Sequence, residues 1–262
     1  MPKLQDLTWN EAREALAAAE VALIPVGAVE QHGHHMPLGS DVFAAAAVAE
    51  RVAERSGALV VPAIPYGLSE CHMAFPGTIT VSPETLARYL YDVCDSLCRH
   101  GMRKFLFING HGHNGPSIKI VMEELKRHHR AFAASADWWD LGFQLTKDLW
   151  SARPEDLPPG HASEVECAAL LAVHPSLVHM ERHQPGFLGP VQSTGIAAKK
   201  STVLRLGNLP GDLTSALNFD EITTSGVVGN AAGATADKGK ILLEKVVDYL
   251  ANVVAELRKL KV

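Results

Sequence analysis

Val21-Ala-Leu-Ile-Pro-Val-Gly-Ala-Val-Glu-Gln-His-Gly-His-His-Met-Pro-Leu-Gly-Ser-Asp41 orders the rest of the chain around it. Its first six residues, Val21–Val26, are an apolar run of the kind that forms a short buried strand. After Val26 the chain turns polar and glycine-punctuated. Glu30, His32, His34, His35 and Asp41 then place five potential metal ligands within twelve residues. The ligands therefore fall at a strand's C-terminal end and in the loop beyond it, where open α/β sheets bind ligands and cofactors. Glu30 and His32 are two apart and point the same way from extended chain. Asp41 follows a loop shaped by Pro37 and Gly39, just ahead of an Ala-rich segment. A carboxylate, an imidazole and a second carboxylate able to bridge make most of a two-metal site with mixed nitrogen and oxygen ligands. Such a set suits Zn, Mn or Fe better than Mg or Ca. The plainer alternative is a loop of ordinary surface histidines.

Outward from this stretch, strands alternate with helical patterns. Thr8–Ala19 reads as a helix with Thr8 as N-cap and Glu11 completing a capping box. Val42–Ser56 is an Ala/Val-rich helix starting directly after Asp41, which is placed to cap it. Leu59–Ile64 is a second strand, followed by a loop over 65–75 and a tight turn at Phe75-Pro-Gly-Thr78. Ser82–Arg99 is a helix with Pro83 at its first position. Lys104–Ile108 is a strand, Pro116–His129 a helix, Ala131–Ala136 a strand and Ala234–Lys259 a long final helix. This alternation predicts a single-domain α/β fold over 1–262, a mostly parallel sheet flanked by helices on both faces. The Gly-, Pro- and Ser-rich stretch at about 183–217, with Lys199, Lys200 and Arg205, reads as an excursion over the surface or toward a neighbouring subunit.

With 262 residues, 47% apolar and 20% charged, the chain can bury a large core. A formal net charge of −5 gives no electrostatic case for nucleic acid. No apolar run reaches transmembrane length, and the first residues are too polar for a signal peptide. Cys71, Cys94, Cys98 and Cys167 show no CxxC spacing, which fits free thiols in a reducing cytoplasm.

Two further groups hold candidate chemistry. Asn109-Gly-His-Gly-His-Asn114 ends a strand as the first group does, so His111 can meet Glu30 and Asp41 where parallel strands end together. Gly160-His-Ala-Ser-Glu-Val-Glu166 opens a helix and sets His161 and Glu164 at i and i+3, on one face. That pair makes an acid/base group and a last metal ligand. Glu166 falls elsewhere on the helix and is equally explained as a partner of the helix dipole.

Together these groups resemble the creatininase (creatinine amidohydrolase) family. The matching text is Pro25-Val-Gly-Ala-Val-Glu-Gln-His-Gly33, Pro37-Leu-Gly-Ser-Asp41, Phe75-Pro-Gly-Thr78, Asn109-Gly-His-Gly112 and Gly160-His-Ala-Ser-Glu164. Gly226-Val-Val-Gly229 and Ala234-Thr-Ala-Asp-Lys-Gly239 continue it almost to the C-terminus. The resemblance implies a binuclear metal centre and a homo-oligomer, commonly a hexamer. It assigns Glu30, Asp41 and His111 to one metal, and His32, bridging Asp41 and Glu164 to the other. His161 becomes the proton shuttle. Trp138-Trp139 is similar to a substrate-side tryptophan of the family, and His72 and His113 are placed beside the substrate from their loops. His113 stands where creatininase itself has a glutamate, and Leu157-Pro-Pro159 stands where it has a flap tryptophan, which argues against creatinine as substrate.

The expected function is thus a cytoplasmic metal-dependent hydrolase of a small cyclic amide, formamide or related C–N bond. Two divalent ions, Zn first and Mn or Fe next, would activate the water. C–C hydrolysis of a cyclic ketone such as a dehydro-inosose, or a non-catalytic metal-binding member, are the alternatives. The partner is a small molecule, with neither nucleic acid nor membrane expected. His34, His35 and Glu166 receive no role.

Overall fold

The computed structural model describes residues 3–151, 160–186 and 216–262, together with the backbone of three short strands between 196 and 214. Four parallel strands form the central sheet: β1 (Ala22–Val26), β2 (Leu59–Val60), β3 (Lys104–Asn109) and β4 (Phe132–Asp137), in the order β2-β1-β3-β4. Their side chains divide by the two-residue period of a strand. Val21, Leu23, Leu106 and Ile108 enter one core, and Ala22, Ile24, Val26, Phe105 and Phe107 the other. Helices α3 (Pro83–Arg99) and α4 (Gly115–His129) cover the second face, and α2 (Ser40–Ser56), α5 (Trp138–Leu145), α6 (Glu164–Val173) and α7 (Ala236–Lys259) cover the first. Burial on both faces explains why β1 and β3 are almost continuously apolar. This is the expected single α/β domain with helices on both sides of a parallel sheet.

Three local departures have physical causes. The second strand is shorter than 59–64 because Pro62 interrupts its ladder. Val61 still donates to the Leu23 carbonyl at 3.0 Å, but the next bond comes from Ile64 to Pro25 at 2.9 Å. Helix α2 starts at Ser40, with Gly39 at the N-cap, so Asp41 lies in the first turn rather than capping the helix. A carboxylate there is favoured by the helix dipole. The final helix starts at Ala236, where Thr235 Oγ1 accepts from Lys238 N at 3.2 Å. Helix α1 (Trp9–Ala19) begins as expected after Thr8, whose N–H donates to Glu11 Oε2 at 2.7 Å. Gly239 lets α7 sit directly on α6, since a Cβ there would collide with the Ala168 carbonyl.

Within the excursion, β5 (Ile196–Lys200), β6 (Val203–Leu206) and β7 (Leu213–Thr214) form a small antiparallel sheet in that order. The side chains of Lys199, Lys200 and Arg205, and the Leu157-Pro-Pro159 stretch, lie outside the described residues. Among the described residues, no helix is long and apolar enough to cross a membrane.

Candidate metal centre

The parallel register sets Val26 beside Asn109, so β1 and β3 end at the same level and deliver their loops into one crevice. Helix α2 brings Asp41 to the same place. Gly110 permits the approach, because a Cβ there would lie 2.5 Å from the Asp41 carbonyl oxygen. Asn109 folds the second loop back on itself, its Nδ2 donating to the His111 carbonyl and to Asp137 Oδ1, each at 2.8 Å. Asn114 ties this loop to two others, donating to Gly27 O at 3.0 Å and accepting from Leu68 N at 3.0 Å.

Glu30, Asp41 and His111 are all buried, and each offers a ligand atom within 4.8 Å of the others. His111 Nε2 donates to the Leu68 carbonyl at 2.8 Å, which leaves the Nδ1 lone pair facing inward in the neutral ring. That lone pair faces Glu30 Oε1 at 3.1 Å and Asp41 Oδ2 at 3.4 Å. Both oxygens are buried and lack a hydrogen-bond partner. His32 repeats the pattern, with Nδ1 donating to the Glu30 carbonyl at 3.2 Å and Nε2 facing Asp41 Oδ1 at 3.0 Å. Lone pairs directed at carboxylates repel one another unless positive charge lies between them. The donor set therefore fits divalent cations bound by nitrogen and oxygen.

The titration behaviour has the same origin. Burial opposes charge on His111, but Glu30 and Asp41 outweigh it and hold the ring well above its ordinary value. His32, equally buried, is pushed up to about 9, chiefly by Asp41. Asp41 is held well below the usual carboxylate range by His32 and His111, although burial works against this. The pocket attracts positive charge, whether proton or metal ion.

His161 does not share a helical face with Glu164. Helix α6 begins at Glu164, and between them Ala162 takes the left-handed conformation at φ 55°. His161 Nε2 donates to the Gln31 carbonyl at 2.6 Å, and Nδ1 points toward Glu30 Oε1 at 3.6 Å. Burial and the nearby His32 charge hold His161 well below its ordinary value, so the ring stays neutral. Its ring lies 4.4 Å from that of His32.

The expectation for Glu164 is corrected. Its Oε1 receives Lys238 Nζ at 2.5 Å and Ser151 Oγ at 3.1 Å, and its Oε2 receives Ser151 N at 2.9 Å. It clamps the start of α7 to Ser151 and, among the described residues, belongs to no candidate ligand group. The carboxylate gathered with His32 and His161 is Glu166. Glu166 Oε2 accepts from Ala162 N at 2.7 Å and so also braces the strained residue beside His161. Burial pushes Glu166 up to about 7.

The remaining expectations divide. Trp138 is a core ring, 1% exposed, packed with the first hydrophobic face, and is corrected from a substrate contact to a core residue. Trp139, its neighbour on α5, is partly buried against the same core and has its ring edge close to Gly112 beside the site. His72 Nε2 lies 3.3 Å from Glu30 Oε1, while its Nδ1 accepts from Gln31 Nε2 at 2.9 Å. His113 sits with its ring 5.3 Å from His111. His34 is exposed, and buried His35 packs against His183 at 4.7 Å. Sequence reading missed Ser69, which donates to Glu30 Oε2 at 2.7 Å, and Phe219, which stacks on His72 at 3.9 Å and meets His161 edge-on at 4.9 Å. Neither has a local signal, because each reaches the site through long-range packing.

The profile of the creatininase family, described as creatinine amidohydrolase, matches residues 5–254. The chain belongs to the creatininase family. It is 31% identical to creatinine amidohydrolase of Pseudomonas putida, over 96% of this chain and 95% of that one. It is 30% identical to the 3-dehydro-scyllo-inosose hydrolase of Thermotoga maritima, over 97% and 82% of the two chains. A mycofactocin precursor peptide peptidase of Mycobacterium ulcerans is 28% identical over 97% and 92%. A crystal structure of creatininase superposes with a TM-score of 0.80 at 28% identity, covering 98% of each chain. Two further creatininase structures, each 29% identical, are described as the Mn form (TM-score 0.77, 97% of each chain) and a mutant of Zn-Zn type (TM-score 0.76, 98% of each). The chain is thus a creatininase-family hydrolase.

Proposed function

We propose that this protein hydrolyses a C–N bond in a small cyclic amide or formamide, using water activated by two divalent metal ions. The supporting observation is the pair of buried, unpartnered oxygens, Glu30 Oε1 and Asp41 Oδ2, converging on the inward lone pair of His111. Glu30, Asp41 and His111 would hold one ion. His32 and Glu166 would hold the second, with Asp41 shared because its two oxygens face His32 and His111 separately. When bound, such ions lower the pKa of water toward about 7 and polarise a carbonyl oxygen.

His161 manages the proton. Its Nε2–H is committed to Gln31, and its neutral Nδ1 faces the centre, so it can take a proton from water and then return it to the leaving nitrogen. Ser69 and the Leu68 carbonyl fix Glu30 and His111 before substrate arrives. His72, His113 and Trp139 stand on the substrate side. Zn or Mn is the expected metal pair, with Fe compatible with the same donors. A cytoplasmic homohexamer belongs to the same reading, and light scattering of the purified protein measures the assembly.

The test combines metal content with turnover. Purified wild type is expected to contain at least two ions per chain and to release amine from one member of a cyclic amide and formamide panel. Asp41→Ala is expected to lose the two ions of this centre and all turnover. Wild type that takes up neither Zn, Mn nor Fe would refute the proposal. The similarity to the inosose hydrolase favours a second reading, ring opening of a cyclic ketone by the same activated water. A product with a new carboxylate and no new amine would select it.

A further inference from the structure

Cys71 takes part in no step of that reaction, yet it stands beside two of the site's histidines. Cys71, His72 and His113 each offer a ligand atom, one sulfur and two nitrogens, all within 4.8 Å of one another. The first two are consecutive on the short turn Glu70–His72, and His113 lies on the turn Gly112–Asn114. We propose that these three residues form a separate binding site for a thiophilic divalent cation of the zinc class.

The proximity and the chemistry of the donors support this site. Cys71 Sγ lies 3.7 Å from His113 Nδ1 and 3.8 Å from Nε2. The sulfur thus flanks the imidazole, and a tetrahedral ion with bonds of about 2.3 Å to sulfur and about 2.0 Å to nitrogen requires the His113 ring to turn and aim one nitrogen at it, with that nitrogen about 3.5 Å from the sulfur. Every other candidate group contains a carboxylate, whereas this one has none. A zinc-class ion therefore gains here a sulfur ligand that the Glu30–Asp41 centre does not offer. His72 joins the set by exchanging the Gln31 amide on Nδ1 for the ion, while Gln31 keeps its bond to the Gly226 carbonyl at 2.9 Å. The Cys71 thiol proton passes to solvent as the sulfur–metal bond forms. Cys71 is half-buried, so an ion can reach it, and three protein ligands leave a fourth position open.

The test is titration of the metal-free full chain with Co2+, followed by absorption. A sulfur-to-cobalt charge-transfer band in the near ultraviolet reports thiolate ligation alone. The other cysteines, Cys94, Cys98 and Cys167, are enclosed in the hydrophobic cores. The band is expected in wild type, absent in Cys71→Ser and at least halved in His113→Ala. The visible bands of cobalt bound to nitrogen and oxygen should persist in both variants and show that they fold. No band in wild type, or a band that survives Cys71→Ser, overturns the proposal. Loss of the visible bands alone would count against the carboxylate centre and leave the thiolate site standing.

Discussion

Glu164 and Glu166 sit two residues apart on the same helix and should fail in different ways when neutralised. Glu164→Gln removes the charge opposite Lys238 in a pair at 2.5 Å. The Glu164 side chain is 5% exposed and that of Lys238 is 25% exposed. Breaking a fully buried pair costs about 3–5 kcal/mol. Partial exposure of the lysine and the remaining Ser151 contact reduce this to roughly 2–3 kcal/mol. For a chain of this size that corresponds to a Tm lower by roughly 5–10 °C. Metal content should stay at the wild-type level. Glu166→Gln should instead lose about one ion per chain and lower kcat by about 10²-fold or more, since the ligand proposed for the second ion is removed. Calorimetry, elemental analysis and initial rates on both variants check the contrast. If Glu164→Gln lost metal while Glu166→Gln kept the wild-type content, the reasoning would be refuted.

Three further outcomes follow from the geometry. In the metal-free protein His32 is pushed up to about 9 by Asp41 despite its burial, from an ordinary 6.5. Its contribution to stability is full below pH 6.5 and is lost as pH rises through about 9. His35, pushed down to about 4 by burial and by His183, contributes above pH 6.5 and is lost as pH falls through about 4. A Tm-versus-pH profile should therefore fall on both sides without metal, and Zn or Mn should flatten the alkaline limb; an alkaline limb indifferent to metal would contradict ligation by His32. Gly110→Ala forces a Cβ against the Asp41 carbonyl at 2.5 Å. It should cost about 1–3 kcal/mol and reduce metal retention, read by calorimetry and elemental analysis. Phe219→Leu removes the ring stacked on His72 while keeping an apolar side chain. The lost aromatic contact is worth about 0.5–1.5 kcal/mol, and kcat should fall with metal content unchanged; unaltered kinetics would mean that Phe219 does not hold these rings.

Much of the architecture was legible because it rests on local physics. Val21–Val26 and Lys104–Ile108 are apolar over strand length, and their alternate residues supply the two cores. Parallel strands of matched register end together, which is why the Glu30 and His111 loops share a crevice. Thr8 as a cap and Pro83 as a first helical residue marked helix starts within a residue.

The misreadings arose where orientation depends on a conformation that residue identity does not fix. Reading His161 and Glu164 as i and i+3 required helix from Gly160, but Ala162 adopts φ 55° and the helix starts later. Glu164 then faces Lys238, and Glu166 reaches back toward His161. Trp138 and Trp139 are chemically identical, and only the packing of α5 decides that one is core and the other lies beside Gly112.

The sequence by itself determined the layered α/β fold, the three ligand-bearing loops and the family, because periodicity and ordered motifs are written along the chain. Tertiary structure alone decided which carboxylate meets His32, which tryptophan nears the site, and that Ser69, Phe219 and Cys71 stand beside it. Those contacts join residues far apart in sequence, and they are set by where helices begin and how side chains pack, which no short window of sequence specifies.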